Sequence, residues 1–341
     1  MKIGIVNDTP MMVEVLRRVI AESGRHELIW IARDGEQAVQ MCAWQLPDVV
    51  LMDLLMPRMD GAEATRRIMQ ETPCPILIVT SDMDSSASKL YDAMGYGALD
   101  ATQTPALVGA AGRRDAAALI EKIDNLGLLL PELVATAARP LAAPAGLTAT
   151  TELAPLVAVG ASAGGPAALS TILRQIPAGF AGAMVIVQHI DAAFAPGMAQ
   201  WLQQQSLLKV RVAAEGDLPQ RGEVLLAGSN QHLVFKEGGR LGYVQGSASD
   251  IYRPSVDAFF HSIVRRWPGR AVAMLLTGMG RDGAVGLKDL RDNGYHTIAQ
   301  DQKSCAVYGM PKAAAALDAA QEVLPVTGMA ARLQAILTGL V

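Results

Sequence analysis

Val49-Val50-Leu51-Met52-Asp53-Leu54-Leu55-Met56-Pro57-Arg58-Met59-Asp60-Gly61 runs from a short apolar segment into a carboxylate and then into a turn punctuated by Pro and Gly. The apolar segment reads as a strand, Val49–Asp53, buried on both faces. Outward from it, strands are expected at Lys2–Asn7, Leu28–Ala32, Ile76–Thr80 and Leu99–Ala101. Helices are expected between them at about Met11–Ser23, Asp34–Trp44, Ala62–Gln70, Ser85–Met94 and Arg113–Asn125, where charges interrupt apolar residues at helical spacing. Five alternating strand–helix units predict an α/β fold, (βα)5, with a parallel sheet. The carboxyl ends of such strands share one edge, so Asn7, Asp8, Asp53 and Thr80 should converge there. Two carboxylates in one cleft repel unless a cation neutralises them, and an oxygen-rich site of this kind suits Mg2+. Asp53 could then attack a phosphoryl group, with the metal and Thr80 stabilising the transferred oxygens. Read alone, Asp53 is equally a turn acid at a strand end.

The chain has 341 residues, half of them hydrophobic, which is material for two cores. Twenty-nine basic against 33 acidic residues leave a net charge of −4, without the basic surplus of a nucleic-acid binder. Cys42, Cys74 and Cys305 are odd in number and scattered, so neither a disulfide framework nor a cysteine metal site is expected, and a reduced, cytoplasmic compartment follows. No leader or membrane-spanning run is expected, since Ile3-Gly4-Ile5-Val6 meets Asn7-Asp8 at once. After Pro131 the stretch from Ala135 to Pro144 turns to Ala, Pro and Thr, which marks a linker. The expected organisation is residues 1–127, a linker over 128–152, and a second domain over 153–341.

The second domain repeats the strand–helix logic with apolar strands at Leu156–Val159, Ala183–Val187 and Ala271–Leu276. Between the last two, the stretch reads as Gly-rich and poor in strands, with a hairpin tip at Glu237-Gly238-Gly239-Arg240. Gly160-Ala161-Ser162-Ala163-Gly164, ahead of a helix at Pro166–Gln175, matches the G-x-S-x-G pattern that exposes a serine on a tight strand-to-helix turn. The same glycines could instead cradle a dinucleotide phosphate, but that reading needs an acid ending the next strand, which runs into Gln188-His189. The third strand leads into Thr277-Gly278-Met279-Gly280-Arg281-Asp282-Gly283. Ser162, His189 and Asp282 thus follow three parallel strands, in the roles of nucleophile, base and orienting acid. Each taken singly is more often a turn or a packed residue. The order Ser, His, Asp differs from that of α/β-hydrolases, so that fold is not assigned. His232, in a loop, and His261, on a helix, are the competing bases.

The first half resembles the response-regulator receiver domain, a flavodoxin-like fold, through Asn7-Asp8, the Asp53–Gly61 block, Thr80-Ser81 and Gly97-Ala98-Leu99-Asp100. The resemblance implies that Asp53 is the phospho-acceptor, that Asp8, Asp53 and Asn7 hold the metal, and that Thr80 is the switch hydroxyl. Two positions depart from it: Asn7 stands where the first acid of the pair is usual, and Thr104 where a lysine precedes the proline. The second half resembles the catalytic domain of CheB-type protein-glutamate methylesterases, a doubly wound, mainly parallel α/β domain. The matching pieces are Gly160–Pro166, Val187-Gln188-His189, Gly228-Ser229-Asn230-Gln231-His232, Arg253-Pro254-Ser255-Val256-Asp257 and Thr277–Gly283. The Asn7 and Thr104 departures resemble the WspF branch, which serves a surface-sensing pathway.

That resemblance implies hydrolysis of glutamyl methyl esters, and deamidation of glutamine, on a methyl-accepting chemoreceptor, with Ser162, His189 and Asp282 catalytic and the Met279 N–H in the oxyanion hole. It implies a CheA-type histidine kinase as phosphodonor, Mg2+ in the receiver, no cofactor in the esterase, no nucleic-acid partner and no membrane insertion. An unphosphorylated receiver covering the esterase site is part of the same expectation. Two other classes stay open on residues alone: an inactive receiver–scaffold signalling module, and a nucleotide-dependent oxidoreductase using Gly160–Gly165.

Overall fold

A computed structural model describes residues 1–80, 87–105, 109–127, 153–246 and 252–339. They form two compact units, Met1–Val134 and Ala135–Val341. The expected linker over 128–152 and the expected helix start at Ser85 lie outside the described residues.

The first unit contains β1 (Lys2–Val6), α1 (Pro10–Ser23), β2 (Glu27–Ala32), α2 (Gly35–Trp44), β3 (Val49–Met52), α3 (Gly61–Glu71), β4 (Ile76–Thr80), α4 (Ala87–Gly95), β5 (Asp100–Gln103) and α5 (Gly109–Gly127). The sheet is parallel throughout, in the order β2-β1-β3-β4-β5. Its order reverses between β1 and β3, the point where an open sheet leaves a crevice beyond its strand ends. All four residues of β3 are buried, as expected of a strand covered on both faces. Asp34 and Asp60 precede α2 and α3 as caps, accepting the N–H groups of Gln37 and Glu63 at 2.8 and 3.0 Å. The last strand lies a residue or two beyond the expected Leu99–Ala101. Thr102 and Gln103 pair with Val79 and Thr80, so ladder bonds decide its extent where side-chain polarity argues against it.

The second unit contains β6 (Leu156–Ala161), α6 (Gly165–Leu173), β7 (Ala183–Gln188), α7 (Ala195–Gln204), β8 (Lys209–Val212), β9 (Glu223–Leu226), β10 (His232–Phe235), β11 (Leu241–Val244), α8 (Val256–Arg266), β12 (Ala271–Leu275), α9 (Ala284–Asp292), β13 (His296–Gln300), α10 (Met310–Ala316), β14 (Glu322–Leu324) and α11 (Val326–Thr338). Seven parallel strands run in the order β14-β13-β12-β6-β7-β9-β8, and β10 and β11 form a separate antiparallel hairpin. The chain leaves β6 toward β7 on one side and returns to β12 on the other, so the crevice opens at the end of β6. The stretch expected to be strand-poor instead holds β8 to β11, all of four residues, while the expected hairpin tip at Glu237-Gly238-Gly239-Arg240 does join the antiparallel β10 and β11. Each is too short to show a period, and Lys209 and Arg211 give β8 a polar face. His232, expected in a loop, begins β10 and is buried. The edge strands are short and charged: Arg211 of β8 bonds Glu223 and Asp217, and Glu322 of β14 bonds Arg332 and His296.

One glycine in the first unit has no substitute. A Cβ on Gly61 would stand 2.0 Å from the Asp53 carbonyl oxygen, because the loop after β3 folds back so that the Gly61 N–H reaches the Leu54 carbonyl at 3.1 Å. Relieving a backbone clash costs at least what overpacking costs, about 1–3 kcal/mol. Gly61→Ala should therefore lower the urea midpoint of the first unit's unfolding while leaving that of the second unit in place.

Candidate functional site

In the first unit the expected residues stand together at the reversal of the sheet. Asn7 and Asp8 follow β1, Asp53 follows β3, and Thr80 ends β4 with a buried side chain. The Asn7 Nδ2 donates to Asp53 Oδ2 at 3.0 Å, and Asp53 Oδ1 accepts the Leu54 N–H at 2.7 Å. Thr9 closes the pocket: its N–H donates to Asn7 Oδ1 at 2.8 Å and its hydroxyl to Asp8 Oδ1 at 3.2 Å. Burial pushes the Asp53 carboxyl up to about 6, and the charge of Asp8 pushes the same way, against the N–H groups of Leu54 and Leu55. Thr104 follows β5 and its N–H donates to the Thr80 carbonyl at 3.0 Å.

The donor set fits a hard divalent cation. The two carboxylates suit Mg2+, and a buried Asp53 whose charge is under-compensated is what such an ion would relieve, although the Asn7 amide here turns its Nδ2 to Asp53 and its Oδ1 to the Thr9 N–H. Among the described residues no three His, Cys, Asp or Glu side chains gather as ligands, because the third group here is the amide Asn7.

In the second unit the strand ends form an elbow and an acid–base pair. Ser162 leaves β6 with its N–H on the Thr277 carbonyl at 3.0 Å, and its own carbonyl accepts the Gly165 N–H at 2.7 Å. The Thr277 hydroxyl donates to the Ala163 carbonyl at 2.9 Å, which ties the elbow to the end of β12. Gly164 adopts φ +75°, in the left-handed region, so the turn can reverse at once into α6. His189, directly after β7, places Nε2 2.8 Å from Asp282 Oδ2. The His189 side chain is 13% exposed and that of Asp282 is 4% exposed, so the acid is sealed and the base faces outward.

Asp282 is surrounded by donors. Besides His189 it accepts the Val256 N–H at 2.6 Å, the Asp257 N–H at 3.0 Å and the Ser255 hydroxyl at 2.9 Å. Burial alone would raise its carboxyl, but the hydrogen bond and charge of His189, with the Asp257 and Val256 amides, outweigh that and hold it below the ordinary value. Asp257 moves the other way, raised by burial and by the charge of Asp282, while its own Oδ1 accepts the Gly286 N–H of α9 at 2.6 Å.

The Met279 N–H meets no acceptor among the described residues, whereas the flanking Gly278 is tied on both sides, its N–H to Val307 and its carbonyl to Gly309 and Met310. The competing histidines are engaged elsewhere. His232 Nδ1 accepts the Ser255 N–H at 3.0 Å, and His261 Nδ1 lies 2.8 Å from Asp289. A Cβ on Gly165 would stand 2.0 Å from Gln188 Oε1, so this glycine lets α6 pack against the buried end of β7.

Two contributors escaped the sequence reading. Gln188, buried at the end of β7, donates Nε2 to the Ser162 carbonyl at 2.8 Å and to the His189 carbonyl at 3.2 Å, joining elbow and base. Tyr252 stacks on His189 with centroids 4.9 Å apart and planes 11° from parallel. Its position beside Arg253-Pro254-Ser255-Val256-Asp257 was the available signal, but nothing in the residue type points to a ring partner 63 positions away in the chain.

A parallel sheet with an acid pocket, followed by a doubly wound sheet with a serine elbow beside a His–Asp pair, defines a response regulator fused to a hydrolase-like domain. The response regulator receiver domain family matches residues 3–105, and the CheB methylesterase family matches residues 157–333. A protein-glutamate methylesterase/protein-glutamine glutaminase of the group 3 operon of Pseudomonas putida is 55% identical over 333 residues, covering 98% of each chain. One from Burkholderia thailandensis is 56% identical over 334 residues, covering 98% of this chain and 96% of its own. The crystal structure of the Thermotoga maritima CheB methylesterase catalytic domain is 31% identical and superposes with a TM-score of 0.51 over 53% of this chain and 98% of its own. The chain belongs to the CheB methylesterase family. Among the described residues no helix is long and apolar enough to cross a membrane.

The raised Asp53 has a thermodynamic signature. Its folded value, about 6, lies above the ordinary 3.8, so the native state binds more protons between those pH values and stability falls as pH rises through that window. With Asp53 partly solvated, the penalty above pH 6 is on the order of 1–2 kcal/mol. Asp53→Asn should raise the melting temperature of the first unit at pH 7.5 without metal, and the gain should vanish near pH 3.5; a calorimetric pH series checks both.

Proposed function

We propose that the chain is a phosphorylation-regulated protein-glutamate methylesterase that hydrolyses glutamyl methyl esters, and deamidates glutamine, on a methyl-accepting chemoreceptor. The observation that carries this is the Nε2–Oδ2 contact of His189 and Asp282 beside the Ser162 elbow. An ionised carboxylate only accepts hydrogen bonds, so Asp282 keeps the imidazole proton on Nε2 and leaves the Nδ1 lone pair as the base. Ser162 Oγ gives its proton to that lone pair and attacks the ester carbonyl, forming a tetrahedral adduct. The Met279 N–H stabilises the adduct's oxyanion, a contribution of about 3–4 kcal/mol for such donors. Collapse breaks the bond to the methoxy oxygen, which leaves as methanol with the proton from His189. Water, deprotonated by His189, then cleaves the acyl-serine ester and restores both residues.

In the receiver, residues 1–127, Asp53 is the phospho-acceptor and a CheA-type histidine kinase the donor. Asp8, Asp53 and Asn7 would hold Mg2+, which would supply charge neutralisation for phosphoryl transfer. Thr80 responds to the new phosphoryl group, and through the linker, 128–152, the receiver governs access to the catalytic domain, 153–341. The unphosphorylated receiver acts as a brake that phosphorylation releases. Removing methyl groups lowers kinase output, which closes a negative feedback loop in the cytoplasm. Asn7 and Thr104 support a place in the WspF branch and, without the usual lysine, an aspartyl phosphate held by fewer cationic contacts.

Methanol release from methylated receptor membranes tests the reading. The full chain should release little without a small phosphodonor and severalfold more with acetyl phosphate and Mg2+. The fragment 153–341 should be active without donor, and Ser162→Ala should be inactive throughout. Undiminished release by Ser162→Ala would eliminate the serine mechanism, and absence of release from every cognate receptor would leave a signalling scaffold.

A further inference from the structure

Two of the family-like stretches, Gly228–His232 and Arg253–Asp257, contribute nothing to the mechanism above, yet they meet directly behind the triad acid. We infer that Ser255 is a positioning residue for the esterase, its hydroxyl setting both the place and the basicity of Asp282, with His232 holding the Ser255 backbone. The inference rests on the reading of Asp282 as the acid that orients His189.

The geometry leaves Ser255 little choice. Its Oγ lies 2.9 Å from Asp282 Oδ1 and 3.2 Å from the Ala258 amide nitrogen. The amide can only donate, and the ionised carboxylate can only accept, so the single hydroxyl proton is directed onto Asp282. Each carboxylate oxygen then carries two bonds. Oδ1 takes the Ser255 hydroxyl and the Asp257 N–H, and Oδ2 takes the Val256 N–H and His189. The bonds on Oδ1 fix the rotation of the carboxylate, and that rotation determines where Oδ2 meets the imidazole.

The backbone of Ser255 is held independently. Its N–H donates to His232 Nδ1 at 3.0 Å, and His232 sits on β10, which is locked against α8 by the Phe235 N–H on the Ser262 hydroxyl at 2.9 Å. Ser255 is thus fixed by the hairpin on one side and caps α8 on the other, with its proton aimed at the acid.

A neutral hydroxyl donating to a carboxylate draws off part of its charge and weakens its hold on an imidazolium. Loss of the Ser255 hydroxyl should therefore favour protonated His189 and withdraw the base at higher pH than in the parent chain. Other ionisable groups around the pair are Asp257 from α8, Tyr252 stacked on His189, Arg281 beside Asp282 in the chain, and His232 behind Ser255. Ser255→Gly leaves all of these side chains in place.

Ser255→Gly and Ser255→Thr in the full chain, activated with acetyl phosphate and Mg2+, separate this role from helix capping. Glycine is itself an acceptable N-cap, costing only a few tenths of a kcal/mol, so any larger fall in the melting temperature of Ser255→Gly reports the lost bond to Asp282 rather than the cap. Methanol release from methylated receptor membranes should fall about tenfold in kcat with KM unchanged. The acidic limb of the pH–rate profile should move to higher pH. Ser255→Thr, which restores the hydroxyl, should return both toward the parent. Asp282→Asn is the reference: its inactivity with a Ser255→Gly profile that superimposes on the parent would overturn the role of Ser255 alone. Full activity of Asp282→Asn would overturn the triad reading and this inference with it. Failure of Ser255→Thr to restore the profile would mean that the hydroxyl proton is not the cause.

Discussion

Parallel pairing between β6 and its neighbours β7 and β12 is the constraint on which the catalytic-domain chemistry depends. Registers such as Gly160 with Val187 and Leu275 with Gly160 bring three carboxyl-terminal strand ends into one line, so residues 27 and 93 positions apart, Ser162 to His189 and His189 to Asp282, leave the sheet side by side. Backbone bonds across those ends, from Ser162 to Thr277 and from His189 to Ala161, then lock the exits of the strands. The reactive groups are attached to the stiffest part of the unit, and the loops between them inherit its order.

The two units treat their buried acids in opposite ways, and the difference follows from donors. Asp53 has one side-chain amide and backbone N–H groups against its own burial and a neighbouring carboxylate, and its proton affinity rises. Asp282 has four donors, two of them from the first turn of α8, and its proton affinity falls despite deeper burial. An acid left under-compensated is suited to meeting a cation. An acid fully compensated is suited to staying ionised while the group beside it exchanges protons.

The alternation of apolar strands and helices was legible because parallel strands covered on both faces leave continuous apolar runs, as in Val49–Met52 and Ala183–Val187. Asn7, Asp53, Ser162, His189 and Asp282 were legible because each directly follows, or closely trails, such a run. What stayed hidden lacks a local signature. β8 and β9 are four-residue strands, and β13 and β14 carry polar residues where tertiary pairing decides their state. Gln188, Tyr252 and Ser255 are ordinary polar residues whose significance is a partner far away in sequence. Spacing along the chain cannot report such pairs, because only the closing of the sheet creates them.

The charged, abbreviated borders of the larger sheet bear on how the protein survives crowding. Interior strands such as β6, β7 and β12, of nearly unbroken apolar sequence, would make a long template for other chains if either border were open. One border is three residues long with Glu322 clasped by Arg332, and the other carries Lys209 and Arg211 with the latter committed to Glu223 and Asp217. An incoming strand would find few free amides there and would have to strip solvated charges to reach them. The same sheet that concentrates the reactive groups at its end is thereby guarded against strand addition at its sides.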